Sequence, residues 1–135
     1  MGCLVYLIIY NGVKNRMGII TKYIKSILWS IVIIVLCFTP GDRFSGVGPD
    51  IPYFDKFVHF IFFFVLSFIL QYEAKNVINL KHCLLILLYA VILGGFIELI
   101  QEYLISGRSG EIFDLEADVI GAVMAFVFFK SIKSQ

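Results

Sequence analysis

Residues 83–104 read CLLILLYAVILGGFIELIQEYL, and this stretch decides the fold. Fifteen residues pass with no charge before Glu98 arrives. A helix needs about 20 largely apolar residues to cross a hydrocarbon core of about 30 Å, and this run supplies them. Three further stretches have the same character, with soft ends: residues 24–38, 57–72 and 115–129. The shorter ones remain spans because tilt, neighbours and flanking residues absorb mismatch. Composition agrees. Sixty per cent of the 135 residues are hydrophobic and only 16% are charged, too few to clothe a soluble domain of this size. The formal net charge of +1 gives no basic field to attract nucleic acid.

Between these stretches the chain turns sharply. Pro40 and Gly41 end the first span, and Pro49 and Pro52 keep the longest loop, residues 39–54, out of a helix. Residues 76–81 and 106–110 form short polar turns. Lys/Arg placement sets direction, because cytoplasmic flanks carry the excess of basic residues. Lys14, Arg16, Lys22, Lys25, Lys75, Lys81, Lys130 and Lys133 fall on one side of a four-span arrangement, and Arg43, Lys56 and Arg108 on the other. The expected fold is therefore all-α: an integral membrane four-helix bundle, up-down connected, with both termini in the cytoplasm. Residues 1–21 read as a cytoplasmic N-terminal segment, with Met17 an alternative start, and residues 22–133 as the transmembrane domain. Residues 1–10 are apolar but too short to span, and no cleavage pattern follows them. The three cysteines, Cys3, Cys37 and Cys83, lack disulfide or zinc spacing and read as thiols in apolar surroundings.

Polar residues gather at the outer ends of three spans. Asp55 and His59 share a helix face at i,i+4, as do Asp114 and Asp118, while Glu98 and Gln101 share one at i,i+3. At a rise of 1.5 Å per residue, His59, Glu98 and Asp118 sit about 6, 8 and 6 Å from their span ends, a common depth. An ionised group facing lipid at mid-bilayer costs at least about 2.5 kcal/mol, so these three are expected to face the bundle interior, with Arg108 above them. Asp55, Lys56, Glu102 and Glu111 read as interface markers, and Asp55 and Asp114 as helix N-caps. Phe60, Phe62, Phe63, Phe64 and Phe68 read as lipid-facing or packing surface. Gly94, Gly95, Gly121, Ala122 and Ala125 are small enough to let helices approach closely.

These residues carry a resemblance. Asp55-Lys56-x-x-His59-Phe60, Ile97-Glu98-x-x-Gln101 and Arg108-x5-Asp114-x-x-Ala117-Asp118-x-x-Gly121, with Thr39-Pro40 after the first span, resemble the VanZ-like family over residues 29–129. The family usually has Ala-Asn where this chain has Ala117-Asp118. An amide both donates and accepts, whereas an ionised carboxylate only accepts, so Asp118 is expected to be protonated or paired with Arg108 or His59. The resemblance implies a multi-pass protein of the bacterial cytoplasmic (inner) membrane, linked to the cell envelope. The family takes its name from a protein associated with resistance to the glycopeptide antibiotic teicoplanin. The resemblance implies no particular reaction.

Three readings of the polar layer stay open. In the first, Asp55, His59, Glu98, Gln101, Arg108, Asp114 and Asp118 bind an envelope lipid headgroup or a peptidoglycan precursor, and Arg108 takes its anionic group. In the second, the protein is an enzyme acting on a lipid-linked substrate, with His59, Glu98 and Asp118 as the catalytic candidates, through acid–base work or as metal ligands. No spacing diagnoses a metal as HExxH would, and neither a metal nor a cofactor is assigned. In the third, the layer only locks the helices together. Four short spans without repeats argue against a transporter. The bilayer is the expected partner, nucleic acid is not, and the sequence does not set the oligomeric state.

Overall fold

The computed structural model describes residues 17–39, 53–74, 79–105 and 110–133. The segment before residue 17, most of the long loop, Lys75 and the turn that carries Arg108 lie outside the described residues. Those described form five helices and no strand: α1 (17–22), α2 (Ile24–Cys37), α3 (Phe54–Glu73), α4 (Leu80–Leu104) and α5 (Ile112–Lys133). Two of them, α3 and α4, are long and apolar enough to cross a membrane. Helix α2 is apolar but 14 residues long, and α5 carries Asp114, Glu116 and Asp118 in its first two turns.

Helices stand at the four expected apolar stretches, and three of them begin before those stretches do. Helices α3, α4 and α5 start three residues before the apolar runs at 57, 83 and 115. Each of these first turns includes polar side chains, Asp55 and Lys56, Lys81 and His82, and Asp114, that interrupt the apolar runs. In α4 the cap is Asn79, whose Oδ1 accepts from the His82 amide at 2.9 Å, worth about 1 kcal/mol. Asp55 and Asp114 are not N-caps. They lie inside the first turns of α3 and α5, and the α3 cap position belongs to Tyr53, a left-handed residue with φ 64°.

A further helix, α1, precedes α2 among the described residues. Helices α1 and α2 part at Tyr23, where the next free amides turn to another helix. Glu73, at the end of α3, accepts from Lys25 N (2.8 Å), Ser26 N (3.2 Å) and Ser26 Oγ. A carboxylate thus satisfies donors that every helix N-terminus leaves open, across 47 and 48 positions of sequence. Glu73→Ala is expected to lower the unfolding free energy by about 1–2 kcal/mol, since Ser26 is buried and loses its acceptor. Thermal melts of the detergent-purified protein would check this, and an unchanged melting temperature would count against the cross-helix cap.

The core lies among α2, α3, α4 and α5, around Ile33, Phe63, Leu66, Ile97 and Ala122. Helices α3 and α5 make the most extensive contact, because α5 presents Gly121, Ala122 and Ala125, all buried, to the aromatic face of α3. Phe64 and Phe68 reach over this seam to Phe128 and Phe129, with ring centroids 5.4–6.2 Å apart. Phe63 is fully buried, so the phenylalanines of α3 are packing as much as perimeter. Trp29 ties α2 to α3 by donating Nε1–H to the Phe62 carbonyl at 3.0 Å. Outward-facing Leu28, Ile31, Leu88, Ile92, Leu99 and Val127 stay exposed, an apolar perimeter far larger than a soluble monomer carries.

Candidate functional site

At the N-terminal ends of α3 and α5, two pairs interlock. Lys56 and His59 are three residues apart on α3; Asp114 and Asp118 are four apart on α5. Lys56 Nζ donates to Asp114 Oδ1 at 3.1 Å, and one turn deeper His59 Nδ1 lies 3.0 Å from Asp118 Oδ1. That second distance fits an N–H donating to a carboxylate. Lys56 also donates to Glu111 (2.7 Å) and to Asp55 (3.1 Å), so one ammonium serves three carboxylates. Its side chain is only 17% exposed. Expected as an interface marker, Lys56 is a hub: its carboxylates are its neighbour Asp55, Glu111 just before α5 and Asp114 within α5.

Helix α4 supplies the third wall. Glu98 Oε2 accepts from the Glu111 amide at 2.8 Å, and its Oε1 lies 3.9 Å from His59 Nδ1. Glu102 Oε2 accepts from the Gly110 amide at 2.9 Å, so two acids of α4 hold the approach to α5. His59, Glu98 and Asp118 are all buried, Asp118 completely. Each offers one ligand-type atom, and those atoms lie within 4.8 Å of one another. Gly94 makes room for this on α4: a Cβ there would stand 2.4 Å from Asp118 Oδ2. Gly95 is different, with nothing near its missing Cβ, so the expected close approach at this residue does not occur.

The structure therefore brings together His59, Glu98, Asp118 and, one turn outward, Asp114. Asp55 is exposed and meets Lys56, not His59. Gln101 stands apart in role: it is buried and donates Nε2–H to the Cys37 carbonyl at 3.0 Å, tying α4 to the end of α2. Arg108 lies outside the described residues. Of the partners expected for Asp118, the described one is His59.

A second polar zone lies at the opposite ends of these helices. Ser26 and Ser30 on α2 are buried; Ser30 Oγ meets Tyr89 Oη of α4 at 3.0 Å, and Ser26 meets Glu73. Serine and a single acid at a span end are too common to signal this. His59 and Glu73 are 14 residues apart on α3, about 21 Å along the axis. The helices thus carry a polar zone at each end and an apolar middle.

These features define an all-helical protein with membrane-capable helices and a buried histidine–carboxylate centre. The chain belongs to the VanZ/LLP1 family, whose family model matches residues 1–133. Comparison with curated proteins and with solved structures returned no match.

Proposed function

We propose that this chain is a multi-pass protein of the bacterial cytoplasmic membrane that binds an envelope component, a lipid headgroup or a peptidoglycan precursor, at a polar site on the outer side. In this reading α2, α3, α4 and α5 form an up-down four-helix bundle, N-in and C-in. Three contacts support that topology. The start of α2 meets the end of α3 through Ser26 and Glu73, the end of α2 meets the end of α4 through Cys37 and Gln101, and His59 and Asp118 pair near the starts of α3 and α5. The basic flanks favour this orientation.

The observation that carries the binding reading is the convergence of His59, Glu98 and Asp118 from three helices, with Glu98 Oε1 buried and uncommitted to any hydrogen bond. A lock that served stability alone would pair its atoms, since an unpaired buried acceptor costs about 1–3 kcal/mol. Arg108 is assigned the anionic group of the ligand on the chemistry of its guanidinium. Family membership makes glycopeptide sensitivity the phenotype to follow. The test measures membrane abundance beside teicoplanin sensitivity for Glu98→Gln and Arg108→Lys. Retained abundance with a changed phenotype is expected. Abundance falling in step with phenotype would reduce the centre to a folding device.

A second reading has its own observation. The His59 Nδ1–Asp118 Oδ1 contact is how a carboxylate orients an imidazole for proton transfer. Turnover of a lipid-linked precursor that vanishes in His59→Ala while binding persists would favour an enzyme over a binding protein.

A further inference from the structure

We propose that His59, Glu98 and Asp118 bind one divalent metal ion of the zinc or manganese class between α3, α4 and α5. Two buried carboxylates face one imidazole here. The nearest ammonium, Lys56, is already held by Asp55, Glu111 and Asp114. The centre thus carries more negative groups than the described residues compensate, in a setting where unbalanced charge is costly. A divalent cation balances both carboxylates and leaves the imidazole neutral, the form that ligates.

The donors are arranged for it. Imidazole nitrogen with carboxylate oxygens suits zinc and manganese. Tetrahedral bonds of 2.0–2.2 Å place ligand atoms about 3.4 Å apart. The His59 Nδ1 separations from Asp118 Oδ1 and Glu98 Oε1, 3.0 and 3.9 Å, bracket that value. An independent sign is the pair of orphans. Glu98 Oε1, aimed at the imidazole, and Asp118 Oδ2 have no hydrogen-bond partner, although Glu98 is 9% exposed and Asp118 0%. Support from behind the ligands is present as well: the Glu111 amide fixes Glu98 Oε2, and Gly94 leaves space for the Asp118 carboxylate. Three protein ligands leave a position open, as at catalytic rather than structural zinc. Such an ion would give an otherwise acidic site a place for an anionic oxygen.

The proposal stands apart from any envelope ligand, because occupancy is read on the protein alone. Untagged full-length protein is purified in detergent, stripped with chelator, and equilibrated with zinc or manganese. Metal per chain is measured by mass spectrometry and thermal unfolding is recorded in parallel. The expected result is one ion per chain with a raised melting temperature, both lost in Glu98→Gln and His59→Ala. His82→Ala, which changes the other histidine, is expected to keep both. Glu98→Gln retains an oxygen for the Glu111 amide, so it tests the site where His59→Ala fails to fold. Wild-type protein that melts cooperatively yet holds no metal would overturn the proposal, as would undiminished binding in Glu98→Gln.

Discussion

Gly121→Ala is expected to destabilise the protein by at least about 1–3 kcal/mol, the cost of forcing one methyl into a packed core. The added Cβ would lie 2.3 Å from the Phe60 carbonyl oxygen and 3.1 Å from the Phe64 amide nitrogen. Both obstacles are backbone, and both belong to a regular helix, so neither can rotate aside as a side chain would. Relief requires α3 and α5 to separate, which loosens the most extensive helix contact in the molecule and pulls His59 from Asp118. Two alanines on the same face, Ala122 and Ala125, are already fully buried, so little slack exists along the seam. Against a total stability of about 5–15 kcal/mol for typical domains, such a loss is large. Gly95→Ala is the matched control. It adds the same methyl in α4 with nothing within 4 Å and gains up to about 1 kcal/mol from helix propensity. Melting temperature in detergent and abundance in membranes should separate the two sharply. Equal behaviour would show that the α3–α5 approach is looser than described.

Asp118→Ala carries the largest expected effect, about 3–5 kcal/mol, as for removing one partner of a buried pair. His59 is 3% exposed and Nδ1 would lose its contact at 3.0 Å. Asp118→Asn should be far milder, because the amide oxygen still accepts at the same place. Gly94→Ala separates the site from the fold. Its Cβ meets the tip of a side chain, Asp118 Oδ2 at 2.4 Å, so the carboxylate swings away while the helices stay. The expected outcome is modest loss of stability with loss of the histidine–carboxylate centre. Melting temperatures ranked Asp118→Ala lowest, Gly94→Ala intermediate and Asp118→Asn nearest wild type would bear this out. A ranking with Asp118→Asn lowest would mean that the second carboxylate oxygen, not the imidazole contact, holds the fold.

The chain's own sequence determined its helical class, the place of each apolar run and the positions of His59, Glu98 and Asp118 near helix ends. Those properties are one-dimensional: apolar length, basic flanks and a fixed rise per residue are read along a single helix. Family membership was legible for a similar reason: the resemblance rested on residues at fixed spacings along the chain, and the family model matches residues 1–133.

What tertiary structure alone decided is which faces meet. Nothing local distinguishes Gly94, which seats a carboxylate, from Gly95, which touches nothing; rotation of α4 against α5 makes the difference. Gln101 shares a motif with Glu98 yet serves the Cys37 carbonyl, because three residues turn it toward α2. Lys56 becomes a hub and Glu73 a cap for α2 through contacts bridging 47 to 58 positions of sequence. Charge balance in the buried centre is likewise a sum over three helices. A contact between helices depends on their relative rotation and offset, and no periodicity within one of them encodes either quantity.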